Sequence, residues 1–408
     1  MNHKELIPHL FRTEYRKIVS VLCRRFGFEQ IETAEDIAGD TFLTAAQTWS
    51  MNGIPENPTA WLYHVAKNKA KNVIRRKSFF TTEVIPELMN EPSAAETDEI
   101  DLSTANINDS QLRMMFAVCH PSIPPEAQIG LSLRILCGFG IDEIADAFLT
   151  SKETINKRLF RAKEILREKK IGIEFPEEPE IGKRLDAVLR TIYLLFSEGY
   201  YSTSSDTTLR KDLCLEAMRL CTMLVENELT DTPQANALLA LMCFHASRFD
   251  ARIGAGGEMI LYEEQDETLW NAELISRGAY FMHRAATGDT LSKYHLEAAL
   301  AYWHTQKEDS KEKWENILQL YNKLLGIEYS PIAALNRTFA LSKANGRQEA
   351  IVEAEKLKMT GNQFYFTLLG ELYSGIDNAL SKEHFTRALS LAKTENDRKV
   401  IRKRIRRL

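Results

Sequence analysis

Two stretches concentrate side chains that could grip a polyanion. In the first, Lys152, Thr154, Asn156, Lys157, Arg158, Arg161 and Lys163 surround an apolar stripe of Ile155, Leu159, Ala162 and Leu166, spaced four, three and four. In the second, Lys67, Asn68, Lys69, Lys71, Asn72, Arg75, Arg76 and Lys77 interleave with Trp61, Leu62, Val65, Ala66, Val73 and Ile74. Lys and Arg neutralise phosphates, while Asn amides can bond base edges or backbone. Both segments also admit a plainer reading as solvated basic faces of ordinary helices, and Trp61 reads first as a core residue. Upstream, Asp36 and Asp40 lie four apart and project from one side of a helix. The remaining chemistry-bearing residues are Glu258, Glu263, Glu264, Asp266 and Glu267, with His245 and Arg252 not far away in sequence. No nucleophile–base spacing, phosphate loop or metal motif accompanies them, so a structural charge network is expected, with no catalytic residue and no cofactor. Cys119-His120 has no second ligand pair at zinc-finger spacing, and no Cys-x-x-Cys occurs. No metal site is expected, and the six cysteines are expected to be reduced and buried.

The whole chain sets limits on these readings. With 408 residues, 44% hydrophobic and 27% charged, it can bury two or three cores. A formal charge of −5 excludes a generic polyanion binder, so a nucleic-acid surface must be local. No apolar run reaches the roughly 18 residues of a membrane span, and Met1–Leu10 lacks the apolar core of a secretory signal. A cytoplasmic protein without a membrane partner is expected.

The elements that carry these residues are helices. Leu6–Phe26 reads as one, stopped at Gly27, and Thr33–Trp49 as a second, capped by Thr33 and opened by Glu35 and Asp36. After the turn Asn52–Pro58, a third basic helix spans about Thr59–Lys77. Thr81–Asp109 is acidic and contains no Lys or Arg, which suits a tether rather than a packed domain. Gly140–Lys163 then reads as two short helices at a tight corner. Ile141, Ile144, Ala145 and Phe148 line the first, and Ser151 caps the second, the parts of a helix-turn-helix that lays a basic helix in the DNA major groove. The same pattern also fits an ordinary helical hairpin.

A second acidic linker, Ile171–Glu180, precedes a half in which helices of similar length alternate with short turns, as in stacked helical repeats. Phe366, Leu369, Gly370, Tyr373, the turn Gly375–Asn378, Phe385 and Ala388 look like one tetratricopeptide repeat (TPR). The final basic run, Arg398–Leu408, reads as a solvated cap in preference to a polyanion contact.

Taken together, Ala34–Phe42, Trp61–Asn68 and Arg75-Arg76 resemble region 2 of bacterial extracytoplasmic-function (ECF) sigma factors. Pro125–Gln128, Leu131–Arg134, Glu143–Ala145, Thr154-Ile155 and Arg158–Lys163 resemble region 4. Leu194–Tyr200 and Leu261–Asp266, followed by Trp270, resemble signatures of the subgroup with a large TPR-containing extension. The resemblance implies an all-α protein divided into region 2 (1–80), an acidic linker (81–110), region 4 (111–170), a second linker (171–184) and a regulatory TPR-like domain (185–408). It implies that Asp36, Asp40 and Phe42 dock on the coiled coil of the largest core RNA polymerase subunit. It further implies that Asn57, Trp61, Lys67, Asn68, Asn72, Arg75 and Arg76 read the −10 element, and that Lys152, Thr154, Asn156, Lys157, Arg158 and Arg161 read the −35 element. Region 4 would also touch a polymerase subunit, and the repeats would hold a protein or peptide. Asn72 stands where the family usually has an acidic residue, and Leu149 where it usually has glycine. Two other readings stay open: a helix-turn-helix regulator with a TPR-like sensor that is not a polymerase subunit, and a repeat adaptor without a DNA role.

Overall fold

The protein is represented by a computed structural model, which describes residues 3–84, 100–148, 150–201, 210–254, 260, 262–392 and 394–408. Among them the regular structure is helical, with nineteen α-helices. They form two compact units, 1–194 and 195–408, where the sequence suggested three domains with a boundary near 184.

In the first unit, α1 (His3–Phe26) ends where Gly27 adopts φ +82°, a conformation that costs glycine little. Leu10, Tyr15, Ile18, Val19 and Leu22 are buried, as their spacing predicts. Helix α2 (Ile31–Asn52) packs its Ile37, Thr41, Phe42 and Ala45 face inward. Its start corrects the expected Thr33 cap: a 3-10 turn, Phe28–Gln30, feeds directly into the helix, and Gln30 at the N-cap makes no side-chain bond. Helix α3 (Pro58–Val84) is anchored by Leu62, Ala66 and Ala70.

Helix α4 (Thr104–Val118) begins inside the stretch assigned to the acidic linker. Ser103 caps it by accepting from Asn106 N, Ile100 and Ile107 are buried, and Asp109 pairs with Arg24 of α1 at 2.5 Å. The carboxylates at the end of that stretch therefore belong to the fold, while 85–99 lie outside the described residues. Helices α5 (Pro125–Leu131), α6 (Ile141–Ala147) and α7 (Lys152–Glu168) follow, with a π-helical turn at Ser132–Leu136. A methyl added to Gly130 would sit 3.0 Å from Leu159, so α5 and α7 cross closely there. The second expected linker is also packed: Ile173 is buried, and the Phe175 ring lies between Phe116 (5.5 Å) and Arg113 (5.0 Å). Helix α8 (Glu178–Tyr201) starts before the expected boundary and runs through the division between units at 194/195. Its first half is tied into unit 1 by Thr191 donating to Gln128 (3.1 Å) and Arg184 donating to the Phe116 carbonyl (2.9 Å).

The second unit continues with α9 (Lys211–Val225), α10 (Pro233–Ala246) and the single turn α11 (Phe249–Arg252). The amphipathic spacing of Glu267–Arg284 suggests one continuous helix, and the structure interrupts it. Asp266 caps a 3-10 turn at Glu267–Leu269, and Asn271 caps α12 (Ala272–Ala285) by accepting from Leu274 N, because both side chains compete with helix continuation for backbone N–H groups. Then follow α13 (Lys293–Trp303), α14 (Lys311–Ile327), α15 (Pro331–Ala344), α16 (Arg347–Leu357), α17 (Gln363–Tyr373), α18 (Asn378–Leu391) and α19 (Glu395–Ile405). Helices α17 and α18 meet where Gly370 faces Phe385: a methyl at Gly370 would fall 2.8 Å from that ring. Ser381 also donates to the Gly370 carbonyl at 2.7 Å. Helix α19 buries Ile401, and most cations of this end meet carboxylates: Arg402 pairs with Glu395, Arg404 with Glu371, and Lys403 and, just past the helix, Arg407 with Glu264.

Candidate nucleic-acid interface

Helix α2 presents an exposed stripe of Asp36, Asp40, Leu43 and Gln47, spaced four, three and four. Such spacing keeps all four on one side. Asp40 is approached by Lys69 of α3 at 3.9 Å, and both remain open enough to solvent for the pair to add little stability. Phe42, which the family resemblance counts among the docking residues although its spacing puts it on the inner stripe with Ile37, Thr41 and Ala45, is not on this face. Its ring is 5% exposed and meets Phe11 edge-on at 5.1 Å, in the core between α1 and α2. The exposed apolar side chain is its neighbour Leu43, at 57%. Its signal was available in the register: Leu43 is seven residues from Asp36 and three from Asp40, whereas Phe42 continues the Ile37–Thr41 stripe.

On α3, residues 58–76 include no carboxylate, so the helix is uniformly basic over that length. Asn68, Asn72, Arg75 and Arg76 are exposed, and Lys67, Lys69 and Lys71 are half-buried along their stems. Asn57 has a structural task, since its Oδ1 accepts from Ala60 N at 2.9 Å and caps the helix. Asn68 Nδ2 lies 2.9 Å from His64 Nε2. Trp61 is half-buried and set edge-on to buried Trp49 at 5.3 Å, which fits the core reading of that residue. What anchors α3 from beneath is Tyr63, donating to Glu14 of α1 at 2.5 Å, while Lys17 holds the same carboxylate at 2.9 Å. Burial and this bond push the Tyr63 hydroxyl well above the usual phenol range. Neither Tyr63 nor Glu14 was signalled by sequence periodicity.

On α7, Ser151 accepts from Thr154 N at 3.2 Å and starts the helix. Hydrogen bonds at this cap lower the Glu153 carboxyl below its ordinary range. Ile155, Leu159, Ala162 and Leu166 are buried, leaving Thr154, Asn156, Lys157 and Arg161 exposed. Lys152 is exposed and pairs with Asp142 at 2.7 Å, and Arg158 lies half-buried with its guanidinium 5.7 Å from the Phe148 ring. Phe160, missed from sequence, stands 62% exposed between Lys157 and Arg161. Leu149, at the corner between α6 and α7, is outside the described residues; beyond it Thr150 N donates to the Ala145 carbonyl at 3.0 Å.

Lys163 departs from the expected basic face. It turns to the start of α2 and pairs with Glu35 at 2.6 Å, their side chains only 12% and 14% exposed. Arg134 reaches the same carboxylate at 3.4 Å, and Arg167 bonds Glu32. A more exposed pair, Arg12–Glu143 at 2.8 Å, joins α1 to α6. The unit thus holds the acidic start of α2 against the flank of α7, and leaves the Asp36–Gln47 stripe, the α3 cations and the outer side of α7 uncovered.

Among the described residues, no group of three or more His, Cys, Asp or Glu side chains could hold a metal ion. All six cysteines are free and buried, and burial raises the thiol of Cys119 to about 11 and those of Cys214 and Cys243 to about 12. Among the described residues, no helix is long and apolar enough to cross a membrane. The acidic cluster is occupied internally: Glu264 pairs with Lys403, Asp266 caps its turn, and Glu267 lies 3.5 Å from Lys307, while Glu258 is outside the described residues.

Residues 10–80 match sigma-70 region 2, and residues 184–286 match a family of unknown function, DUF6596. RNA polymerase sigma factor YlaC of Bacillus subtilis (strain 168) is 26% identical over 165 residues, 40% of this chain and 91% of that protein. Uncharacterized protein R00370 of Rhizobium meliloti (strain 1021) is 32% identical over 380 residues, 92% of this chain and 90% of that protein. No solved structure matches the chain. Similarity of that extent makes the chain a member of the R00370 family, and it carries a sigma-70 region 2 at its N-terminal end with a DUF6596 region beyond it.

Proposed function

We propose that the protein is an RNA polymerase sigma factor of the ECF type, which brings core polymerase to particular promoters and is regulated by its own helical-repeat half. The observation that carries this is the coincidence of the region 2 match with α2 and α3. One helix there offers an acidic and apolar stripe, and the next offers a carboxylate-free basic surface. The stripe of Asp36, Asp40 and Leu43 is the polymerase contact, with Phe42 holding α2 in place from inside. Lys67, Asn68, Asn72, Arg75 and Arg76 bind the −10 element, where cations suit a single-stranded backbone, and Asn57 and Trp61 hold the start of that helix.

Region 4 comprises α4 to α7 in this reading, with α6 and α7 as its helix-turn-helix. Lys152, Thr154, Asn156, Lys157, Arg158 and Arg161 face the −35 element, joined by Phe160, whose ring suits a thymine methyl. The helices from α9 onward form the TPR-like half, with the Gly370–Phe385 crossing of α17 and α18 as its most regular repeat. A helix-turn-helix regulator that never joins polymerase would leave the match over 10–80 without a role.

Run-off transcription tests the proposal. Purified protein with core polymerase yields a promoter-specific transcript from its own upstream region, and Asp40→Arg removes it. Absence of both transcript and polymerase binding refutes the proposal.

A further inference from the structure

We propose that the DUF6596 region and the helices following it form a binding site for a small hydroxyl- or amino-bearing anion, built on Arg248, Lys313 and Arg252. Arg248 sits at the junction of α10 and α11 and is 6% exposed, yet among the described residues no carboxylate lies within 4.0 Å of its guanidinium, and its Nε has no hydrogen-bond partner. Lys313, 2% exposed, bonds only the Tyr262 hydroxyl (3.2 Å) and the Gln306 carbonyl. Arg252 lies with its guanidinium 3.9 Å from the centre of the Tyr200 ring, also without a described carboxylate partner. Tyr262 joins the group, its ring 5.3 Å from the Arg248 guanidinium and 5.4 Å from Lys313 Nζ.

Neighbouring carboxylates are engaged mainly by other partners, although Asp309 and Glu308 act on Lys313 through space. Glu264 is held by Lys403, Glu267 faces Lys307, and Asp309 accepts from Trp314 and Lys343. The two nearby imidazoles, His245 and His304, are kept neutral by burial and by these same cations. The Arg248 guanidinium is thus enclosed without a paired carboxylate among the described residues, an arrangement that an entering anion would stabilise.

Two further buried polar atoms describe what else the ligand brings. Trp270 Nε1 donates to nothing, although its ring stacks 6.4 Å from Tyr262. Gln265, 5% exposed, uses its Nε2 on the Ile260 carbonyl and leaves Oε1 without a donor. Arg248 Nε and Trp270 Nε1 call for an acceptor oxygen, and Gln265 Oε1 calls for a hydroxyl or amine hydrogen. A phosphate or a carboxylate carrying a hydroxyl or amine meets both demands. The site is independent of what the N-terminal unit binds.

Melting of the full-length protein with glycerol 3-phosphate, citrate or glycerol tests it. One of the two anions is expected to raise the melting temperature saturably, by about 5–10 °C at a hundredfold excess over Kd, and to change tryptophan emission. The responding anion identifies phosphate or carboxylate as the group recognised, and glycerol does nothing. Arg248→Met is expected to lose the response while melting, without ligand, at or above the wild-type temperature. Gln265→Glu, which supplies an internal carboxylate, is expected to melt higher without ligand and to respond no further. No saturable response to either anion, or an undiminished response in Arg248→Met, overturns the proposal. So does a ligand-free Arg248→Met protein that melts well below wild type, because Arg248 is then a structural strut.

Discussion

The contact between Glu35 and Lys163 makes a quantitative prediction about what holds the first unit together. Glu35 receives Lys163 at 2.6 Å and Arg134 at 3.4 Å, and its side chain is only 14% exposed. Glu35→Gln keeps shape and an acceptor oxygen but removes the charge, which leaves two largely enclosed cations facing an amide. Hydrogen bonds to charged groups contribute about 1.5–3 kcal/mol, and breaking one side of a fully buried pair costs about 3–5 kcal/mol. The partial enclosure here places the loss at about 2–3 kcal/mol. For a unit of this size, that lowers the melting temperature by about 5–10 °C. Urea unfolding of wild type, Glu35→Gln, Lys163→Met and the double variant isolates the pair, and a coupling energy above about 1 kcal/mol is expected. A coupling below about 0.5 kcal/mol would refute the claim that this ion pair seals α7 to α2.

Other outcomes follow from the same geometry. Leu43→Asp is expected to weaken core polymerase binding at least tenfold with little change in melting temperature, whereas Phe42→Ala should destabilise the protein by about 3–5 kcal/mol; equal behaviour in a competition assay and in unfolding would remove the distinction. On the proposed reading of α7, Arg161→Ala should reduce promoter binding by about 1–3 kcal/mol and relax preference at one −35 position, and a loss uniform across sequences would reassign it to phosphate. Gly370→Ala should cost about 1–3 kcal/mol, because its methyl would fall 2.8 Å from the Phe385 ring, and unchanged unfolding would mean that α17 and α18 separate freely. The His304 imidazole is lowered from its ordinary 6.5 to about 3 by burial beside Arg248 and Lys313, so the unfolded chain binds its proton first as pH falls. Its contribution is complete above about pH 6.5 and is lost progressively towards pH 3, by about 1–2 kcal/mol at pH 5; a His304→Phe variant with the same pH dependence of unfolding would contradict this.

Much of the helical plan was legible from spacing, because amphipathic stripes such as Ile155–Leu166 and Leu10–Leu22 are local features of one helix. Phe42 shows where spacing and resemblance part. Its spacing puts it on the inner stripe with Ile37, Thr41 and Ala45, where the structure has it, while the family resemblance counts it among the docking residues and passes over Leu43. The acidic tether was misjudged at its end. Composition suggested an unpacked stretch, yet Ile100 and Ile107 anchor it, and Asp109 answers Arg24 from a distant part of the chain. Pairings of that kind, including Lys163–Glu35 and Tyr63–Glu14, depend on tertiary approach that periodicity does not encode. The same holds for the cluster at Arg248, whose residues are scattered over more than a hundred positions.

The seal between α2 and α7 bears on promoter affinity as an equilibrium between closed and open forms. On the proposed reading, α3 and α7 address elements roughly 25 base pairs apart, which at about 3.4 Å per pair is on the order of 85 Å of duplex. Helix α2, against which α3 packs, is tied to α7 by the 2.6 Å Lys163–Glu35 ion pair, so α3 and α7 cannot span that distance until the pair parts. If closure is favoured by about 2 kcal/mol, roughly 3% of molecules are open at a given moment, and apparent promoter affinity falls about thirtyfold below that of the open form. Core polymerase, by binding the open form through Asp36, Asp40 and Leu43, would restore that factor. Free protein would then occupy promoters sparsely, and promoter recognition would become a property of the assembled enzyme.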